Sequence, residues 1–392
     1  MLNLLSILAS PIENYLDHPG DLVAPAATHS LLAAAQSTPL LLVTTSSRSS
    51  DLITAELKSL VGEASVVNFP AWETLPHERL SPKADTVTAR FKALNQISNN
   101  QIKFIVCSIR ALIQPIIPNN LENSQIKIKV DNQFIMADLI KKLSEFGFIR
   151  SDLVERRGDF AVRGGILDLF PADTEHPIRI DFFGDEIEEI SYFAVSDQRS
   201  MEKISTELTI YPCRELLVDD QLKERAIKLG KDYPEINELA EKIIQGITFE
   251  GMESLAAGLV DEFKNLVDFL PNKSQIWIID EPRVRTRAAD LISTNDEFLS
   301  AAWSNLAWSD EKEILAPIEL SKKLKKGGFF QLEEIEDFAS KQEFLIRNLN
   351  LYASKPEDEV IDFLEGIESY AGKYEEAILD IKNWHKSGFQ VV

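Results

Sequence analysis

The chain has 392 residues, 44% hydrophobic and 27% charged, with a net charge of -22. That length exceeds one ordinary core and the composition is globular, so two or three packed domains are expected rather than a disordered chain. The acidic balance argues against a phosphate-backbone binder, whose affinity comes from clustered Lys and Arg, and favours a basic protein partner or plain solubility.

Cys107 and Cys213 lie far apart and offer neither a disulfide framework nor a paired zinc spacing, which fits a reducing, cytoplasmic setting. The opening MLNLLSILASPIENY lacks a basic start and a long apolar core, so no signal peptide is expected. No apolar run approaches membrane length, and no membrane partner is expected.

The first 120 or so residues alternate helix and strand patterns, as in an α/β layer fold. THSLLAAAQ is helix-like, and TPLLLVTTSS (Thr38 to Ser47) reads as a buried parallel strand. SSDLITAELKSLVG follows as a helix that Ser49 or Ser50 can cap and Gly62 can end. ASVVNFP, DTVTARFKALNQI and IKFIVCSI continue as strand, helix and strand. The pattern then changes. IKIKV at 126–130 alternates strictly, a helix spans Ala137 to Phe146, and DFAVRGGILDLFP, HPIRIDFFGDEIEEISYFAV and STELTIYP read as an antiparallel sheet with one exposed face.

This gives residues 1–125 as the first part of an α/β domain, 126–212 as an inserted α+β domain, 213–335 as the second part of the α/β domain, and 336–392 as an acidic linker opening a further small α/β domain. NKSQIWIIDEPRVRTRAADLI supplies strand, acidic turn and helix to the second part. YEEAILDIKNWHKSGFQVV reads as helix, glycine and the opening of a buried strand, so the chain is expected to be the front of a longer polypeptide.

IIDEP at the end of a strand suggests a nucleotide hydrolase, in which a strand-end acidic pair handles Mg²⁺ and water. That reading needs the phosphate cradle G-x-x-x-x-G-K-[ST], which is absent: Gly230-Lys231 runs into Asp232, and Gly372-Lys373 into Tyr374. The turn in the corresponding place carries Pro25, Ala26, Ala27 and Thr28, with neither glycine nor lysine. Asp280 and Glu281 then have nothing to act on and are expected to serve the N-terminus of the following helix. The five histidines are scattered, His77 reads as a surface or packing residue, and no metal site or catalytic residue is expected.

FPAWETLPHERLSPKADTVTARFKAL, DFAVRGGILDLFP and IRIDFFGDEIEEI resemble the amino-terminal module of the bacterial transcription-repair coupling factors, itself similar to the excision-repair protein UvrB. The resemblance implies a degenerate RecA-like, P-loop-type domain interrupted by an inserted domain that recruits UvrA. APAATHS would be the lost P-loop and IWIIDEP the remnant of the Mg²⁺ motif, so no cofactor is expected in this segment. ATP, Mg²⁺, RNA polymerase and DNA would belong to motor domains further along such a protein. The stretch matching UvrB's tyrosine-rich DNA hairpin, WETLPHERLSP, has only Trp72 as an aromatic, which speaks against DNA wedging.

Strand alternation puts Ile178, Ile180 and Phe182 on one face of HPIRIDFF and Arg179, Asp181 and Phe183 on the other. Phe160 and Val162 should face in and Ala161 and Arg163 out, with a bulge at Gly164-Gly165 returning Leu167 and Leu169 inward. Arg and Phe on a solvent face are interface anchors. Arg163, Arg179 and Phe183 match the positions at which the family's inserted domain contacts UvrA, with Arg156, Arg157 and Asp181 as lesser candidates. The competing readings are that Arg179 merely pairs with Asp181 or a nearby Glu and that Phe183 covers a minor core, or that this face is masked within the parent protein.

Overall fold

The computed structural model describes residues 15–16, 20–76, 78, 80–119, 121, 123–306, 324, 326–353, 358–361 and 374–388. His77 and the expected strand opening at Gln390 to Val392 lie outside them.

The chain is α/β. A seven-stranded parallel sheet contains β1 (Leu22–Val23), β2 (Leu40–Thr44), β3 (Val66–Phe69), β4 (Phe104–Ser108), β13 (Gln275–Ile279), β14 (Leu345–Asn350) and β15 (Glu359–Val360), in the order β15-β1-β14-β13-β2-β4-β3. The continuous apolar run of β2 is explained by cover on both faces. Leu41 and Val43 join a core with Ala93, Leu94 and Ile97 of the helix Ala84–Ser98 and Val284 and Ala288 of the helix Glu281–Leu306, while Leu40 and Leu42 join Leu32 and Leu57 on the other side.

The helix after β2 runs Ser47–Val61 and is capped by Ser46, whose side chain accepts from the Ser49 amide, rather than by Ser49 or Ser50. Extended backbone persists to Ser46, so the cap falls there. Gly62 ends the helix at φ +91°, where a Cβ would be strained.

The parallel sheet extends past residue 335, where the sequence suggested its end. β14 lies between β1 and β13, and Leu332, Ile335 and Ala339 of the helix Leu332–Lys341 pack into the same core. Acidic surface residues of that helix hid its apolar stripe. Residues 216–260 depart from the layer pattern: the helices Asp220–Asp232 and Asn237–Ile244 gather Leu222, Leu229, Ile236, Ile243 and Leu255 into a separate core.

The inserted region holds β5 (Ile126–Ile128), β6 (Ile149–Arg150), β7 (Asp159–Arg163), β8 (Ile166–Leu169), β9 (Ile178–Phe183), β10 (Glu186–Phe193), β11 (Ser200–Lys203) and β12 (Leu208–Ile210). Six of them form a sheet in the order β11-β10-β9-β8-β7-β6, antiparallel except for the β6–β7 pair. β5 and β12 pair separately, so STELTIYP does not extend the main sheet. The helix Met136–Glu145 packs Leu139 and Leu143 against Phe160, Leu167, Leu169, Ile178, Ile180 and Ile190 on the inner face.

Candidate functional site

The turn after β1 is drawn tight. Ala26–Thr28 form one 3-10 turn, and both the Thr28 amide and its hydroxyl donate to the Pro25 carbonyl, at 2.9 and 2.7 Å. Pro25 has no amide hydrogen, and both Thr28 donors are turned back onto its carbonyl. Ala26 and Ala27 are exposed. His29 follows, buried, with Nε2 bonded to the Ala24 carbonyl at 3.0 Å. Burial pushes its pKa down, opposed by that hydrogen bond and by the charges of Asp280 and Glu56.

Asp280 is thus among the charges that act on His29. Its carboxylate pairs with Arg283 at 3.3 Å, and Glu281 pairs with Arg285, which also holds Glu336 at 2.7 Å. Glu281 opens the helix Glu281–Leu306, as expected of a carboxylate at that position. Asp280 sits at φ +60°, and its amide donates to the Leu349 carbonyl, fixing the turn onto the neighbouring strand β14.

The inserted sheet has a second, outer face with two unlike halves. In one half Val154, Ala161, Phe170 and Phe193 form a small apolar core. Ala161, expected in solvent, is 2% exposed because it packs in that cluster with Val154 of the 151–158 segment, and Gln198 Nε2 donates to the Val154 carbonyl at 3.4 Å. Beside this core Arg179 meets Asp168 through two bonds, Nε to Oδ1 at 2.7 Å and Nη2 to Oδ2 at 2.9 Å. Its Nη1 donates to the Gln198 carbonyl at 3.1 Å, and its guanidinium stacks over Phe193. Asp168 is 2% exposed and Arg179 16%. The hydrogen bond to Asp168 holds the Arg179 pKa above its ordinary value against the effect of burial. The partner of Arg179 is thus neither Asp181 nor a glutamate of its own hairpin, and the guanidinium is committed inside the sheet.

The other half is open. Arg163 pairs across β7–β8 with Ile166, and Ile166 across β8–β9 with Asp181, so these three form one row. Phe183 lies two residues beyond Asp181 on the same face and is 77% exposed. Arg163 is exposed, with Nη2 donating only to the Asp152 carbonyl at 3.0 Å among the bonds described. Burial pushes the Asp181 carboxyl pKa up; Arg179 opposes this, while Glu189, Asp168 and Glu188 add to it. Glu189 pairs with Lys203. Phe183 covers no minor core: it caps the tip of the hairpin, where Gly184 at φ +64° and Asp185 make the turn to Glu186.

Gly164-Gly165 is likewise a turn, joining two strands with Arg163 opposite Ile166, rather than a bulge within one. Leu167 and Leu169 still face inward, because a hairpin restores the alternation as a bulge would. Of the lesser candidates, Arg157 is engaged elsewhere: Nη1 pairs with Asp85 of the α/β domain at 2.9 Å, and Nη2 donates to the Thr174 carbonyl. The Arg156 side chain is exposed, and its amide donates to Asp159.

Residues 126–216 match the family described as the UvrB interaction domain. The transcription-repair-coupling factor of Mycobacterium tuberculosis is 38% identical over 339 residues, 82% of this chain and 27% of that protein. The chain is related to the bacterial transcription-repair-coupling factors over most of its length. The factor of Bacillus subtilis is 27% identical over 74% of the chain, and UvrABC system protein B of Fervidobacterium nodosum is 29% identical over 46% of it and 26% of that protein. The chain spans about a quarter of the length of the curated relatives it matches.

In the stretch around Trp72 the aromatic side chain is buried. Trp72 is 3% exposed, and its indole N–H donates to Glu215 at 2.7 Å. Glu215 also holds Arg90, whose guanidinium stacks on Phe69 and Trp72 and donates to the Pro70 carbonyl. The ring is core, tying the strand-to-helix connection to the end of the inserted region.

Sequence reasoning missed Asp168 and Gln198 as parts of the site. Asp168 left a trace: it is the one acid within the apolar strand Ile166–Leu169. Gln198 left none, since its bond to Arg179 uses a backbone carbonyl and its side chain bonds only to carbonyls, those of Val154 and Val195, among the bonds described.

Proposed function

We propose that this chain serves transcription-coupled nucleotide excision repair by recruiting UvrA through the open half of the outer face of the inserted sheet. Support comes from one coincidence: the region matching the UvrB interaction domain carries an exposed phenyl ring at Phe183 on the same sheet face as the exposed Arg163, one row and two strands away. An aromatic anchor next to an Arg is the pairing that dominates interface energies when desolvated by a partner. Glu186 lies opposite Phe183 and Glu189 opposite Asp181, which suits a partner pocket with a basic rim.

In this reading the parallel sheet is a RecA-like layer that has lost nucleotide binding and now acts as scaffold. Its β1 turn has no cradle, and its strand-end acids are paired to arginines. ATP-driven movement on DNA and contact with RNA polymerase then belong to parts of the relatives that this chain does not span. The segment itself is expected to hydrolyse no ATP and to need no metal.

The test is a calorimetric titration of purified UvrA against the chain and against an Arg163→Ala/Phe183→Ala double variant, with circular dichroism of both. Binding that weakens at least tenfold in a folded variant supports the reading. Equal binding by the two proteins would move the contact to another surface. ATPase activity from the isolated chain would overturn the scaffold assignment.

A further inference from the structure

The four middle strands of the six-stranded sheet are two hairpins. β7–β8 closes through Gly164-Gly165 and β9–β10 through Gly184-Asp185, and turns this tight fix the register of their own strands. The pairing between the hairpins, β8 with β9, has no such turn: residues 170–177 connect them. Yet that pairing decides whether Arg163, on the first hairpin, lies in the same row as Asp181 and near Phe183, on the second.

Apolar burial does half of the work. Leu167, Leu169, Ile178 and Ile180 all face the inner core, so a slip of one residue would turn each outward. A slip of two residues keeps every one of them inside, and the hydrophobic pattern alone does not forbid it. The outer face does. In the observed register Asp168 lies directly opposite Arg179, and the two are joined by both carboxylate oxygens. Two residues of slip in one direction set Asp168 opposite Asp181; in the other direction they set it opposite Pro177. Either leaves a carboxylate that is now 2% exposed without its cation.

We infer that the Asp168–Arg179 pair is a register lock between the two hairpins, and that Arg179 supports partner binding by holding Arg163 in the row next to Phe183 on one face rather than by touching the partner. Buried polar pairs of this kind are best known for fixing register. Gly165 adds to the lock: a Cβ there would stand 2.9 Å from the Phe182 carbonyl oxygen, and the Phe182 amide donates to the Gly165 carbonyl at 2.8 Å. The remaining Arg179 bond, to the Gln198 carbonyl, ties the same lock to the turn that closes the covered half of the face.

This inference rests on the proposed UvrA contact for its functional part, and the experiment separates the two. The register is read first without any partner. An Ile166→Cys/Asp181→Cys reporter places thiols at directly opposed positions, where close side-chain spacing permits a disulfide. It is made in the full chain with Arg179 intact, with Arg179→Ala, with Arg179→Lys, which keeps the charge, and with Asp168→Asn/Arg179→Gln, which keeps a neutral hydrogen-bonding pair. UvrA titrations are run on the same replacements at 168 and 179 without the reporter.

Cross-linking should slow at least fivefold in Arg179→Ala and recover to within about twofold in the neutral pair and in Arg179→Lys. UvrA binding should follow the same order, at least tenfold weaker in Arg179→Ala and near the original strength in the neutral pair. Full-speed cross-linking in Arg179→Ala would overturn the lock. So would a neutral pair that cross-links normally but binds UvrA as poorly as Arg179→Ala, because the lost charge would then be a contact. If Arg179→Ala does not fold, Arg179→Lys and the neutral pair decide alone. If Phe183→Ala leaves UvrA binding unchanged, the contact site fails while the cross-linking result on register stands.

Discussion

At the turn after β1 the Thr28 hydroxyl and amide bond back to Pro25, and Asp280 and Glu281 across the sheet edge are paired with Arg283 and Arg285. At the open end of the inserted sheet Phe183 stands 77% exposed and Arg163 keeps most of its guanidinium free of the bonds described. Both places gather the residue types that functional sites use. At the first, Thr28, Asp280 and Glu281 are bonded within the chain; at the second, Phe183 and most of Arg163 are not. A partner gains from desolvating groups of the second kind, whereas at the first it would have to break bonds already made. The same contrast recurs within the outer face, where Arg179 is committed and Arg163, one strand-row away, is exposed.

The committed class should dominate stability. Glu215→Ala leaves Arg90 buried with its charge unpaired and the Trp72 indole without an acceptor, and should lower unfolding free energy by about 4 kcal/mol in urea titration. A loss below about 1 kcal/mol would mean that the knot is not a supporting element. The open class should do the reverse. Phe183→Ala is expected to leave stability within about 0.5 kcal/mol, because the ring buries little, while weakening UvrA at least tenfold, about 1.4 kcal/mol.

Two titrations sharpen the contrast further. Burial holds the folded-state His29 pKa below its ordinary value, so the unfolded chain binds the proton more readily. The stability contributed by neutral His29 is present above about pH 6.5 and is lost as pH falls through the folded-state pKa. The slope of stability with pH should therefore flatten across this range in His29→Gln, measured by denaturant unfolding at stepped pH. The smallest effect is at the open site. Burial raises the folded pKa of Asp181, so ionising it opposes folding. Asp181→Asn should be slightly more stable than the parent at neutral pH, and the gain should vanish as acid protonates Asp181 in both states. A variant that is less stable at neutral pH would show that its pairing with neighbouring cations outweighs burial.

Much of this was legible before any coordinates. Strand and helix periods and the inward and outward sets of β9 follow from local chemistry, because alternation depends on near neighbours in the chain. The turn glycines mark where the hairpins close for the same reason. What the sequence could not assign is which outward residues remain exposed. Ala161 and Arg179 share a face with Arg163 and Phe183, yet a segment and a turn from elsewhere cover one pair and leave the other bare. Nor did it reveal that β14 enters the first sheet between β1 and β13, or that Asp168 is the partner of Arg179. Those are long-range pairings: each is decided by the free energy of burying apolar faces and satisfying buried charges together, and no local pattern carries it.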